Sequence, residues 1–237
     1  MTGSTLISVR SKVRSRLIKH LFLFAGLWII FSSAVVADEL PYASAPDSLP
    51  GILESMKKAN EGIHDLYFHY VEIQHSGDMN RISSGEVFIR RPHDLRLVQN
   101  DPEEMIVKSD GKTVWIYSPA EGQELVGSWT RWLKMSSLPL PALGFLDGKQ
   151  DWAKKFEASL EDDNGSQLRL KLVPKSRGNL PVTLWIDKNS WLPVRGRLGE
   201  GEEFSEIQSS GMKVNAGLNP DLFQLQVPER TAVIPIQ

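Results

Sequence analysis

Apolar and polar residues alternate with a period of two along most of the chain beyond residue 65, which is typical of β-strands with one buried face. Turn signals such as Asp110-Gly111 separate the alternating segments. The pattern predicts about eleven strands among twelve candidate segments. The segments lie near 66–76, 84–91, 94–99, 104–109, 113–118, 123–128, 153–160, 168–172, 182–186, 192–198, 203–210 and 222–227.

Two segments break this alternation. Apolar residues recur at helical spacing over 49–63, which predicts one short amphipathic helix. The segment 138–146 is strongly apolar and interrupted by two prolines, which predicts one or two short helices. Both segments are candidates for a lid over the sheet. The lid residues would be Leu53, Met56, Leu140, Leu143 and Phe145.

The order of these elements predicts the fold class. Helices are predicted only before the first strand and in the middle of the chain, so strands and helices do not alternate. This order favours a mainly β fold with a few helices, built on one strongly curved antiparallel sheet. We find no repeat of fixed period and no low-complexity tract, so residues 38–237 are predicted to form a single domain.

The first 37 residues differ in pattern from the rest of the chain. Five basic residues lie between positions 10 and 19, an apolar run covers 21–36, and Val35 and Ala37 are the small residues that a signal peptidase requires. A transmembrane anchor is the alternative, but the uninterrupted apolar run is about 11 residues, against about 20 for a span. We therefore predict a cleaved signal peptide over 1–37 and localisation in the periplasm.

Charge and cysteine content narrow the class of partner. Cleavage would remove five basic and no acidic residues from a chain with 27 Lys plus Arg and 29 Asp plus Glu, which leaves a net charge near −7. Such a balance disfavours non-specific binding to nucleic acid or to an anionic bilayer. The absence of cysteine excludes a lipid anchor and a disulfide. We expect a monomer that is stabilised by core burial alone.

The sequence contains no recognisable catalytic or metal-binding motif. It lacks the G-x-S-x-G nucleophile elbow, the phosphate-binding P-loop and the H-E-x-x-H zinc motif. His69 and His75 share a face of one predicted strand, but six residues separate them by about 20 Å, which is too far for a shared metal ion. We therefore expect a protein that is not an enzyme and that holds no metal and no cofactor.

Several strands between residues 84 and 118 are apolar on both faces. A helix or a second sheet packed on the inner face would explain this surplus. The alternative is a cavity, because two short lid segments offer little cover, and a cavity lined by aliphatic and aromatic side chains suits acyl chains. Alternation leaves open whether Trp115 and Tyr117 line such a cavity or pack outside it. The candidate cavity residues are Phe88, Leu95, Leu97, Met105, Val107, Trp115 and Tyr117.

Two stretches of the chain resemble the LolA-type periplasmic outer-membrane lipoprotein carrier family. The first is GEVFIRRP at 85–92, and the second, more specific stretch is IVKSDGKTVWIYSP at 106–119. The order of signal, lid helix, strands, mid-chain lid segment and final strands is also similar. The resemblance implies an incomplete barrel that is closed by a helical lid.

The resemblance also implies a function and a latch. In that family the arginine before the proline hydrogen-bonds the lid backbone and keeps the empty cavity shut, and Arg91 lies at this position. The partners implied are acylated lipoprotein or other amphiphilic cargo, an inner-membrane ABC transporter (LolCDE-like) and an outer-membrane receptor (LolB-like). This chain departs from the family where Leu95 and Leu97 replace an aromatic residue. A carrier or sensor of the same fold for another amphiphile, such as a glycolipid, therefore stays an alternative.

Overall fold

The computed structural model describes residues 48–135, 152–176 and 178–236, and these residues contain one sheet of twelve strands. The order across the sheet is β12-β6-β5-β4-β3-β2-β1-β11-β10-β9-β8-β7, so the sheet is open and β12 and β7 form its edges. Neighbouring strands are antiparallel except β12 and β6, which are parallel. The predicted mainly β fold on one large antiparallel sheet is confirmed. The strands are β1 (Asp65–Ser76), β2 (Met79–Arg90), β3 (Asp94–Asp101), β4 (Met105–Ser109), β5 (Thr113–Ser118), β6 (Gln123–Ser128), β7 (Phe156–Asp163), β8 (Gln167–Pro174), β9 (Val182–Asp187), β10 (Pro193–Glu200), β11 (Glu203–Val214) and β12 (Ala232–Pro235).

The predicted strands correspond to β1 to β11, but residues 153–155 of the strand predicted at 153–160 are helical, and the strand predicted at 222–227 is wrong. Pro220–Phe223 forms a 3-10 helix, and the side chain of Asn219 caps it by accepting a hydrogen bond of 3.0 Å from the backbone N–H of Asp221. Phe223 is buried beneath Arg90, whose guanidinium carbon lies 4.9 Å from the ring centroid. The turn therefore overrides the alternation that follows it, and the last strand is the four-residue β12.

The described residues contain three α-helices: α1 (Leu49–Glu61), α2 (Trp129–Met135) and α3 (Trp152–Lys155). Ser48 caps α1, since its hydroxyl oxygen accepts a hydrogen bond from the backbone N–H of Gly51, and Pro50 lies in the first turn, where its missing N–H costs nothing. The helix predicted at 49–63 thus corresponds to α1. The segment 138–146 lies outside the described residues. None of the described helices is long and apolar enough to cross a membrane.

Because side chains alternate along each strand, the register assigns every strand residue to one of two faces. We call the face that carries Phe68, Val87 and Leu97 the core face, and the opposite face the outer face. Ile52 and Met56 of α1 and Trp129 of α2 belong to the same buried cluster as the core-face side chains. Each fully buried leucine contributes roughly 2 kcal/mol to stability. Fully buried core-face side chains include Leu66, Phe68, Ile89, Leu95, Leu97, Leu168, Leu170, Leu172 and Leu184.

Candidate functional site

Arg91 connects the end of β2 to the C-terminal end of α1. Its backbone N–H donates a hydrogen bond of 2.9 Å to the carbonyl oxygen of His64. Its guanidinium donates to the backbone carbonyl of Asn60, to the side-chain oxygen of Asn60 and, over 2.9 Å, to the carbonyl of Ile63. An arginine presents its donors in a rigid fork and can therefore bind several acceptors at once. The side chain thus holds the last turn of the helix and the connection that follows it.

Asn215 holds the same connection from the opposite side. Its side-chain oxygen accepts a hydrogen bond of 2.7 Å from the backbone N–H of His64, and its amide group donates over 2.8 Å to the carbonyl of Gly62. The backbone of Asn215 has φ +54°, a conformation that asparagine tolerates better than most residues. The end of α1 is therefore held from both the end of β2 and the segment that follows β11.

Asp65, the first residue of β1, reinforces this second attachment. Its carboxylate accepts hydrogen bonds from the backbone N–H groups of Ala216 at 2.8 Å and Gly217 at 3.0 Å. Sequence reasoning missed both Asp65 and Asn215, because their partners lie about 150 residues away along the chain. Asn215 and Gly217 are residue types that favour a turn, but this local signal does not indicate the distant partners.

Four of the predicted cavity residues lie together on the core face: Leu95, Leu97, Met105 and Val107. Leu97 pairs with Val107 across β3 and β4, while Leu95 and Met105 lie two residues away on the same face. Leu95, Leu97 and Val107 are at most 2 % exposed. These side chains form a continuous apolar surface in the part of the sheet beside the Arg91 end.

The apolar surface extends to one edge of the sheet. From Val107 the register continues along the core face through Ile116 and Leu125 to Ile234. Exposure rises along this row from 1 % at Val107 to 36 % at Leu125 and 39 % at Ile234. The core face is therefore buried in its middle and open to solvent near β6 and β12.

The other three predicted cavity residues, Phe88, Trp115 and Tyr117, lie on the outer face. The register joins Phe88 through Arg96 and Lys108 to Trp115, and none of these positions shares a face with Leu97. The amine of Lys108 lies 4.6 Å from the centroid of the Trp115 ring, a cation–π contact. The prediction that these three residues line the cavity is therefore corrected, because the neighbouring residues of β2 and β5 are the ones that point towards the core.

The predicted lid residues divide between described and undescribed parts of the chain. Met56 is 4 % exposed and belongs to the buried cluster, while Leu53 is partly buried against it. The two side chains are thus placed where α1 meets the core-face cluster. The remaining three predicted lid residues, Leu140, Leu143 and Phe145, lie outside the described residues.

A group of buried polar side chains interrupts the apolar core face. Glu72, Ser83 and Ser205 are 4–5 % exposed, and the carboxylate of Glu72 accepts hydrogen bonds from Ser205 at 2.7 Å and from Ser83 at 3.3 Å. Gln74 donates to the same carboxylate over 2.9 Å. Burial, with the nearby charge of Glu72, raises the pKa of the Tyr70 hydroxyl above its ordinary value. Sequence reasoning missed this group, because Ser205 lies 133 residues from Glu72.

The outer face carries charged and aromatic side chains in structural contacts. Glu206 accepts hydrogen bonds of 2.8 Å from both Arg195 and Arg197. Tyr67 donates over 2.7 Å to Glu86, and this bond, with burial, raises the pKa of Tyr67 to about 12. Within the described ranges no three His, Cys, Asp or Glu side chains are arranged to hold a metal ion.

An outer-face pocket lies between the sheet and the segment that follows the 3-10 helix. Its volume is about 440 Å³. Arg96 closes one side, donating over 3.1 Å to the carbonyl of Leu222. Its lining is Arg96, Ile106, Asp221, Gln224, Leu225 and Gln226. Because these side chains are mainly polar, the pocket does not offer an acyl chain the environment that the core face provides.

The family model for "Outer membrane lipoprotein carrier protein LolA" matches residues 67–226. A protein named outer-membrane lipoprotein carrier protein from Alcanivorax borkumensis is 29% identical over 206 residues, which cover 86% of this chain and 94% of the relative. A protein of the same name from Azotobacter vinelandii is 29% identical over 70% of this chain and 79% of its own. A solved structure of an uncharacterized conserved protein from Thermus thermophilus has a TM-score of 0.52 at 15% identity, and covers 79% of this chain and 98% of its own. This last likeness is one of fold.

Proposed function

The chain belongs to the LolA family of outer membrane lipoprotein carrier proteins, and from that premise we propose that it carries acylated lipoproteins through the periplasm, from the inner to the outer membrane. The carrier role of its relatives supports this proposal in outline. In the proposed site the acyl chains lie on the core face beneath α1. Leu95, Leu97, Met105 and Val107 contact them from the sheet.

The observation that carries this proposal is the attachment of α1. The helix covers part of an apolar sheet face with Ile52 and Met56, and Arg91 holds its end through polar contacts to backbone carbonyls. Water can replace these polar contacts when the helix lifts, and acyl chains can take the place of Ile52 and Met56 on the core face. The cover is therefore suited to opening while the sheet stays folded.

A carrier is physically required for such cargo. Exposing an acyl chain of about 16 carbons to water costs ~12 kcal/mol at ~0.8 kcal/mol per methylene, so a lipoprotein with two or three chains does not cross an aqueous compartment unaided. The gradient of exposure from Val107 to Ile234 offers the chains an apolar path to the buried part of the core face.

The proposed cycle has two states. In the empty state Arg91 holds α1 against the core face; in the loaded state α1 is displaced and acyl chains take its place. The chain would accept cargo from an inner-membrane ABC transporter of the LolCDE kind and deliver it to an outer-membrane receptor of the LolB kind. Cargo then moves towards the partner of higher affinity, because closing of the empty carrier favours release. No cofactor and no catalytic step enters this cycle.

Native mass spectrometry of the protein, expressed from the full sequence with its signal and purified from the periplasm, tests the proposal. We expect adducts whose masses match acylated proteins. Adducts of glycolipid alone would show that the cargo is another amphiphile and not lipoprotein. A folded sample without any bound amphiphile would contradict the carrier role. A folded Leu125→Asp variant, which places a charge on the solvent-exposed part of the core face, should lose the adducts.

A further inference from the structure

The core face changes from apolar to polar along the strands. In β1 the core-face positions run from Leu66 and Phe68, both fully buried, to Tyr70 and then Glu72. At about 3.3 Å per residue, Glu72 lies about 13 Å from Phe68. The apolar end is the one beside Arg91 and α1. The core face therefore changes from apolar to polar along β1, as an amphiphile does from its acyl chains to its head group.

The polar part is built by three neighbouring strands. Glu72 in β1 pairs with Ser83 in β2, and the Ser205 hydroxyl of β11 reaches the same carboxylate. All three side chains are at least nine-tenths buried. Burying a carboxylate costs several kcal/mol, which hydrogen bonds only partly offset, and apolar residues of similar size would stabilise a purely structural core at least as well.

The hydrogen-bonding capacities of the group define a ligand. An ionised carboxylate only accepts hydrogen bonds, while a neutral tyrosine hydroxyl donates one as well. A tyrosine hydroxyl is neutral near pH 7, and burial together with the charge of Glu72 raises the pKa of Tyr70 further. A head group with amide N–H groups and ester carbonyls complements such a pair.

We propose that Tyr70, Glu72, Ser83 and Ser205 form a subsite for the polar head of the lipidated N-terminus of the cargo. Glu72 accepts a hydrogen bond from an amide N–H, which takes the place of the bond from Gln74, and Tyr70 donates to an ester carbonyl. The acyl chains extend from this subsite towards Phe68 and the α1 end. The inference rests on the proposed carrier function, and it adds that the site distinguishes acylated peptides from other molecules with the same chains.

Two fluorescent probes test the inference: a palmitoylated dipeptide and the same molecule with its palmitoyl amide N-methylated. One charge-assisted hydrogen bond predicts that the wild-type protein binds the N–H probe about tenfold more tightly. In Glu72→Gln this preference should fall to about twofold or less. Glu86→Gln, which removes an outer-face carboxylate, is the control and should keep the tenfold preference.

The outcomes separate the subsite from the carrier function. Tight but equal binding of both probes by the wild-type protein would overturn the subsite and leave the carrier intact, as would a tenfold preference that survives Glu72→Gln. Binding of neither probe would overturn both. If Glu72→Gln does not fold, Tyr70→Phe replaces it, assayed with a diacylglyceryl probe and its diether analogue. The wild-type protein should prefer the ester several-fold, and a preference that Tyr70→Phe retains would overturn the role of Tyr70.

Discussion

Replacing Arg91 with leucine removes the guanidinium that joins β2 to the end of α1. The lost contacts include three hydrogen bonds, two to the backbone and side-chain oxygens of Asn60 and one to the carbonyl of Ile63. Hydrogen bonds to charged groups contribute about 1.5–3 kcal/mol each, and partial exposure of this arginine reduces that to about 1 kcal/mol each. The closed state should therefore lose about 3 kcal/mol.

Two measurements follow from this magnitude. A loss of about 3 kcal/mol shifts the balance between closed and open α1 by about 100-fold. Amide hydrogen exchange within α1 should accelerate by about that factor, while exchange at Leu170 and Leu184 in the sheet should not change. Where cargo binds only the open state, the apparent Kd for an acylated probe should fall by a similar factor, because the open fraction rises.

Arg90→Leu is the matched control for Arg91→Leu. Arg90 precedes Arg91 directly, but its side chain lies on the outer face, where it bonds Asp94 at 2.6 Å and packs on Phe223. This variant should leave exchange in α1 and probe affinity close to wild type. Wild-type exchange in α1 and unchanged probe affinity in a folded Arg91→Leu protein would refute the latch.

Three further predictions concern the turns and the lid attachment. Gly111→Ala should lower the free energy of unfolding in urea by about 1–3 kcal/mol, because φ is +83° and an added Cβ would lie 2.7 Å from a neighbouring side-chain carbon. Gly122→Ala is the control: φ is +61° but the space around the glycine is open, so the free energy of unfolding should fall by less. Asn215→Ala should lower the free energy of unfolding by about 2 kcal/mol in the same assay, because it loses the hydrogen bonds and places alanine at φ +54°. Asn215→Gly should lower it by about 1 kcal/mol, because glycine accepts this φ and only the hydrogen bonds are lost. Equal losses for the two variants would contradict the argument that this φ strains other residues. The backbone N–H of Thr113 holds the pKa of Asp110 below its ordinary range, so the stabilisation from this carboxylate is complete above about pH 4 and is lost as pH falls through the lowered folded pKa. Asp110→Ala should flatten the fall in unfolding free energy below about pH 4, and an unchanged slope would contradict this.

The sequence predicted the strands well because strand period and turn chemistry are local properties. The bounds of β1, β5 and β6 were predicted within one residue. The error at 222–227 arose where a turn that begins at Asn219 buries Phe223 instead of continuing the alternation. The four residues of β12 carry too short a pattern to be recognised, and their parallel pairing with β6 depends on a contact distant in sequence.

The candidate site was predicted only in part, for a physical reason. Alternation states that Val87 and Phe88 lie on opposite faces, but both are apolar, so the sequence does not indicate which of them faces the core. The position of Arg91 followed from the family resemblance. The polar group at Glu72 and the attachment at Asn215 depend on residues more than 130 positions apart, which no local pattern connects.

Site-specific photo-crosslinking in the periplasm tests the central claim most directly. A photoreactive residue placed at position 97 on the core face and, in a separate protein, at position 115 on the outer face reports which side of the sheet meets the cargo. If the acyl chains lie on the core face beneath α1, position 97 should crosslink to acylated lipoproteins and position 115 should not. Crosslinks to lipoproteins from position 115 alone, or from neither position in folded protein, would contradict the account.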